Sequence, residues 1–326
     1  MLTKDPEDPP VVLKRHPTLY MDDGSIIIRT ERQSAGIVYN LYRGLLANKS
    51  GFFAGLFDLP LVVDPGQCAP PAGTGYKTLK EIAEARGLDG LTDATALVLP
   101  DKVEADDLDH LFEFIFNMKS YGADEIRPLL SLCAILKLSH FFDVETGMQH
   151  AIYYLSTHPH LSAPLRLYLA CTYDVDEWIS KAFKKLMKIP IETLSANDEA
   201  LIGSWAYKLL VRTHAKVDQH RHALAFGPPL VKHEVDCYAH LQCERAWADA
   251  WFGRAGGSGM VSALLHTKTP GSVLYSTMGK FQVPGMRDVC RVSTLSSLED
   301  TQEKKSGLKK EEVYIEQAIM ELKAHI

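Results

Sequence analysis

Residues 42–60, YRGLLANKSGFFAGLFDLP, decide how the first half of the chain folds. The stretch is apolar on both sides of a polar break, NKSG, and carries no carboxylate before Asp58. Ser50 stands directly before Gly51-Phe52-Phe53, where a hydroxyl can accept from an orphan backbone amide and start a helix. Phe52 and Leu56 are one helical turn apart, as are Phe53 and Phe57, so the four share one broad face. Asp58-Leu59-Pro60 stops that helix, because the residue before a proline avoids helical angles. Upstream, Gly44-Leu45-Leu46-Ala47 reads as a shorter helix ending at Asn48. The spacing thus predicts two short core helices rather than an apolar loop that binds a substrate.

The neighbouring segments extend this pattern. Asp22-Asp23-Gly24 is a turn signal leading into Ile26-Ile27-Ile28, a β-branched strand. Residues 37–42, IVYNLY, read as a second strand that pairs with it, with TERQSAG (30–36) as the polar connection. Residues 93–100, DATALVLP, read as a buried strand stopped by proline. A helix then begins at Ala105, with Asp106 and Asp107 at the positive end of its dipole. Its apolar face carries Leu108, Leu111, Phe112, Ile115 and Phe116. A long helix follows through Leu129, Leu132, Cys133, Leu136, Leu138 and Phe141, and another from about 144 to 156.

The order is two strands, two helices, one strand, then helices. Together with the residues just named, it resembles the BTB/POZ domain, here over about residues 20–158. Tyr39-Asn40-Leu41-Tyr42-Arg43-Gly44-Leu45-Leu46 is similar to the family's strand and first aliphatic helix. Ser50, Phe53 and Phe57 fall on its serine–aromatic–aromatic pattern. Leu59-Pro60 follows as in many fungal members. Val98-Leu99-Pro100-Asp101, followed by Asp106-Asp107-Leu108, resembles the third strand and its helix. Residues 169–179, LACTYDVDEWI, resemble the start of the helical region that follows the domain in many fungal proteins. The fold class implied is α+β: a BTB/POZ-like three-stranded sheet flanked by helices, then an all-α extension. The organisation is a flexible segment over 1–19, the BTB/POZ-like domain over 20–158, a BACK-like helical region over 159–226, and a C-terminal helical region with loops over 227–326.

The resemblance implies a non-enzymatic adaptor or scaffold, with a protein partner that is another copy, a cullin or a transcriptional co-regulator. Two departures bear on it. Tyr42 stands where many members have a histidine. Residues 5–10, DPEDPP, cannot supply the helix that dimeric members exchange, so homodimerisation is doubtful on this reading.

Composition is that of an ordinary globular protein, with 46% apolar and 23% charged residues in 326. A net charge of −6 argues against a broad nucleic-acid footprint. No apolar run suits a membrane span, and MLTKDPEDPP lacks a secretory h-region. The six cysteines are scattered, giving no disulfide framework, and free thiols suit a cytoplasmic or nuclear setting.

The second half reads as helical to about Arg221, with Trp178, Phe183 and Leu186 on one helix. Ser195 with Asp198-Glu199 is a capping-box signature. Gly227-Pro228-Pro229 looks like a boundary, and residues 235–252 read as helix. Residues 253–259 read as a flexible loop and 299–312 as a solvated charge run, with a closing amphipathic helix from Val313.

The sharpest chemical candidate is Cys237, His240 and Cys243, with Cys290 or His233 as a possible fourth group. Soft N/S donors of this kind suit tetrahedral zinc. The rival reading of the chain is therefore a zinc-structured protein. Against it, Cys237 and Cys243 read equally as small buried hydrophobes, and ligands three apart drift around a helix. His214, His220, His222 and His233, in and around the polar stretch KVDQHRH, read as a solvated helix end rather than a site. Gly73-Thr74-Gly75-Tyr76-Lys77-Thr78 lacks the offsets of a phosphate loop, and Gly256-Gly257-Ser258-Gly259 is no nucleophile elbow. No catalytic, cofactor-binding or metal residue is assigned from sequence, and no cofactor is expected.

Overall fold

The computed structural model describes residues 12–30, 35–58, 90–119, 125–254, 259–265, 269, 271–280, 282–296, 307–308 and 310–326. The chain divides into two units, Met1–Leu161 and Ser162–Ile326. The first is mixed α+β and the second is built from helices.

In the first unit the three isoleucines do what their β-branching favours. Strand β2 (Ile26–Arg29) pairs antiparallel with β3 (Ala35–Leu41), Ile26 opposite Leu41 and Ile28 opposite Tyr39. Ile26 and Ile28 enter the main core, whereas Ile27 enters a second small cluster with Val38 and Ala96. A strand buried on both faces needs a continuous apolar run, which III supplies.

The sheet differs from expectation at both edges. Among the described residues it has four strands in the order β1-β3-β2-β4, not three. Residues 12–20, most of which the sequence reading gave to a flexible segment, form β1 (Val12–Tyr20), parallel to β3. Pro17 is tolerated because β1 is an edge strand. Beside it the register shifts, and His16 Nδ1 accepts from Leu19 N at 2.9 Å. At the far end, Arg15 and Tyr20 both donate to Asp93, at 2.8 Å for the Arg15 Nη2 and Tyr20 Oη bonds. At the opposite edge, β4 shrinks to Leu97–Val98, parallel to β2.

Helices α1 (Arg43–Lys49) and α2 (Gly51–Phe57) follow the hairpin, as Ser50 predicts. The Ser50 hydroxyl accepts from Phe53 N at 3.1 Å and donates to the Phe142 carbonyl. The same serine thus starts α2 and ties it to the end of a later helix. A Cβ at Gly51 would stand 2.1 Å from Asp143 Oδ2, so a side chain there would force the Asp143 carboxylate to move. Ser50→Ala is expected to cost about 2 kcal/mol, combining a lost cap with a buried carbonyl left without its donor. Urea unfolding followed by far-UV circular dichroism measures it, and an unchanged midpoint would refute that role.

Helices α3 (Ala105–Ile115), α4 (Leu129–Phe141) and α5 (Glu145–Ser156) complete this unit. Leu108, Leu111, Phe112 and Ile115 of α3 enter the core with Leu138 and Phe142. Asp106 and Asp107 lie in the first turn of α3, Asp107 accepting from Lys137 Nζ at 2.6 Å. Asp109 accepts from the Tyr39 hydroxyl at 2.9 Å. Burial first, then the Asp109 carboxylate, push that phenol far above its usual range. Asp106 and Asp107 thus mark the start of the helix, and Asp107 and Asp109 anchor it to Lys137 and Tyr39.

In the second unit, α6 (Ala163–Thr172) is capped by Ser162 and packs on α7 (Asp176–Leu186). Trp178, Ile179, Phe183 and Leu186 of α7 are buried. Ser195 and Asp198 form the capping box of α8 (Ala196–Ile202). Gly203, at φ +81°, makes the turn into the long α9 (Ser204–Phe226). Then come α10 (His240–Phe252), α11 (Met260–Leu265), α12 (Gly271–Gly279), α13 (Asp288–Ser296) and α14 (Lys310–Lys323). Trp247, Trp251, Met260, Leu264, Met278 and Leu295 form the core of these last helices. No helix among the described residues is long and apolar enough to cross a membrane.

Candidate metal centre

The helix expected from residue 235 begins only at His240. Residues 231–239 are irregular instead, and this changes which side chains can meet. A turn at Val235-Asp236, closed by Cys237 N donating to Glu234 O at 2.9 Å, folds the segment back on itself. Cys237 thereby reaches Cys243 in the first turns of α10, which helical spacing alone would forbid. The segment is also pinned to α13. Lys232 N donates to Thr294 Oγ1 at 3.0 Å, and the Arg287 guanidinium donates to Asp236 O. Cys290 of α13 closes the group.

The donor atoms of His233, Cys237, Cys243 and Cys290 all lie within 4.8 Å of one another. Cys237 Sγ and Cys243 Sγ are 3.8 Å apart, far beyond the roughly 2.05 Å of a disulfide. The three cysteines are free and buried, with Val231 and Met286 packed against them. Both ring nitrogens of His233 are buried and make no hydrogen bond. Nε2 faces Glu244 Oε1 at 3.5 Å.

His240 is not part of the group. Its ring stacks on that of His233, centroids 4.1 Å apart and 13° from parallel. Of the sequence candidates, Cys237 and Cys243 meet and His240 drops out, while both groups considered as a possible fourth, His233 and Cys290, are present.

Electrostatics at the group favour one thiolate. Burial opposes ionisation of Cys237, but the Ala239 backbone and the facing side chains of His233, Cys290 and Cys243 outweigh it and lower the thiol to about 7. Cys290 moves the other way, raised by burial and by the neighbouring sulfurs. Three thiols, one of them easier to ionise than usual, beside an imidazole are a donor set for a soft or borderline cation.

Other candidates fare differently. His214 lies in the middle of α9, whereas His220 and the exposed His222 lie in its last two turns. His220 Nε2 is 3.0 Å from Gly307 O and His222 Nδ1 is 2.7 Å from Asp218 O, so each ring is bound to backbone. Residues 73–78, most of the 253–259 loop and most of the 299–312 charge run lie outside the described residues.

A groove of about 310 Å³ in the first unit is lined by His110, Glu113, Arg127, Ser131 and His150, among others. Its charged groups engage one another: Lys119 Nζ is 2.6 Å from Glu113, and Arg127 Nη1 is 2.6 Å from His150 Nε2. Burial first, then Arg127, lower the His150 imidazole. Comparison with family models, with curated proteins and with solved structures finds no match to this chain.

Proposed function

We propose that this chain is a non-enzymatic docking protein whose first unit is a BTB/POZ-like module acting as an adaptor or scaffold. The observation that carries the reading is the order of elements among the described residues of 26–156: hairpin, helical pair joined at Ser50, short strand parallel to β2, then three helices. The residues of 42–57 support it by being internal scaffolding: Leu46 and Phe53 are buried, and Phe52, Leu56 and Phe57 pack against the same core. Bond-making chemistry has no place in such a set.

The partner is a protein, with another copy, a cullin and a co-regulator as the candidates. Docking would draw on apolar side chains left exposed on this unit, of which Leu130 on α4 and Tyr153 on α5 are the largest in exposure. The test is affinity purification of the full chain from its own cells. A stoichiometric protein partner is expected, lost in the Leu130→Asp/Tyr153→Asp variant while the far-UV spectrum is unchanged. Recovery of the chain alone, or capture insensitive to that variant, would count against the reading. Identification of the bound chain separates the cullin arm from the co-regulator arm.

A further inference from the structure

We infer that His233, Cys237, Cys243 and Cys290 bind one zinc ion as a closed, structural Cys3His centre. The inference is independent of the adaptor reading, since it concerns the second unit alone. Four features carry it. The donor set is of the type that tetrahedral zinc takes in structural sites. Zinc–sulfur bonds of about 2.3 Å at tetrahedral angles put sulfurs about 3.8 Å apart, which is the 3.8 Å between Cys237 and Cys243. The buried His233 nitrogens lack hydrogen bonds, a costly arrangement of which a metal would relieve one nitrogen while Nε2 or its counterpart turns to Glu244. The surroundings supply an outer shell: Glu244 faces His233 Nε2, and His240 stacks on the ring and fixes its plane.

The charge balance is simple. On zinc uptake the three thiols release their protons to solvent and the imidazole binds neutral, leaving one net negative charge on the centre. Arg287, already bonded to the Asp236 carbonyl of the same loop, is a cation close by in the fold. With four protein donors no position remains for water or substrate, so the centre would hold structure rather than perform hydrolysis. What it would hold is visible: the irregular 231–239 segment, the start of α10, and α13, which also meet through Val231, Met286, two hydrogen bonds to the loop and the core that Trp247 shares with Leu295.

The test uses the full chain, expressed with zinc supplied and purified under reducing conditions. Elemental analysis is expected to give one zinc per chain. Cobalt exchanged into the centre is expected to show thiolate charge-transfer absorption and the intense visible bands of tetrahedral cobalt. Cys290→Ser should lose most of the bound zinc, whereas Cys133→Ser, a free cysteine of the first unit, should keep full stoichiometry. The unmutated chain decides alone if a cysteine variant fails to fold. A folded wild-type protein with no zinc, no cobalt uptake and three freely titrating thiols would overturn the inference. So would full zinc content in Cys243→Ser/Cys290→Ser.

Discussion

Arg221→Met is expected to lower the stability of the second unit by about 3–5 kcal/mol, because it strands a buried carboxylate. Arg221 lies near the end of the polar-looking run KVDQHRH, yet its side chain is 2% exposed and that of its partner Glu311 is 6% exposed. The pair is bidentate: Arg221 Nε donates to Glu311 Oε1 at 2.7 Å and Nη2 to Oε2 at 2.8 Å, while Nη2 also donates to Thr269 O at 2.7 Å. Geometry this complete is what lets a buried pair survive its own desolvation. Remove the guanidinium alone and Glu311 on α14 keeps the desolvation cost without the attraction. Replacing both partners by apolar residues removes the cost with the attraction, so Arg221→Met/Glu311→Leu is expected to regain most of the loss. All four tryptophans, at 178, 205, 247 and 251, lie in the second unit, so urea unfolding followed by tryptophan fluorescence reads this effect directly. A single-variant loss below about 1 kcal/mol would mean the pair behaves like an exposed one.

Arg221 also illustrates where sequence reasoning reached and where it stopped. Local rules were enough for Ser50, for the Ser195–Asp198 capping box and for Ile26–Ile28, because the information sits within a few residues and one period. Partners distant in sequence were not legible. Strand β1 has no alternating pattern of its own and carries Pro17; it is a strand because β3 offers an edge and Asp93 holds Arg15 and Tyr20. β4 is only two residues because pairing with β2 ends at Arg29, so the apolar run 96–99 overstates it. The metal candidate was half visible. Cys237 and Cys243 announce themselves by type, but choosing His233 over His240 requires knowing that the chain is irregular until residue 240. A run of polar residues likewise reads as solvated until a distant carboxylate, here Glu311, is known to meet it.

Phe53→Ala is expected to cost the first unit about 3–5 kcal/mol, the range for emptying a fully buried aromatic site. Phe53 is 0% exposed. Its ring is stacked on Phe142 at 5.1 Å and on Phe57 at 5.8 Å, and stands edge-on to Phe52 at 5.4 Å. Phe142 is at the end of α4, so the loss would loosen α2 from α4 at the point where Ser50 also ties them. The surrounding rings are held by their own backbone anchors and cannot collapse fully into the space. Phe53→Leu keeps most of the volume and forgoes only the ring geometry, so about 1.5 kcal/mol or less is expected. Far-UV circular dichroism in urea reports both variants, and an unmoved midpoint for Phe53→Ala would show that the aromatic cluster carries no stability. The leucine variant bears on function as well. If Phe53 is scaffolding, Phe53→Leu leaves partner capture intact at nearly native stability. If capture vanishes while the fold holds, the aromatic cluster belongs to the docking surface itself, and treating 42–57 as internal structure would have to be given up.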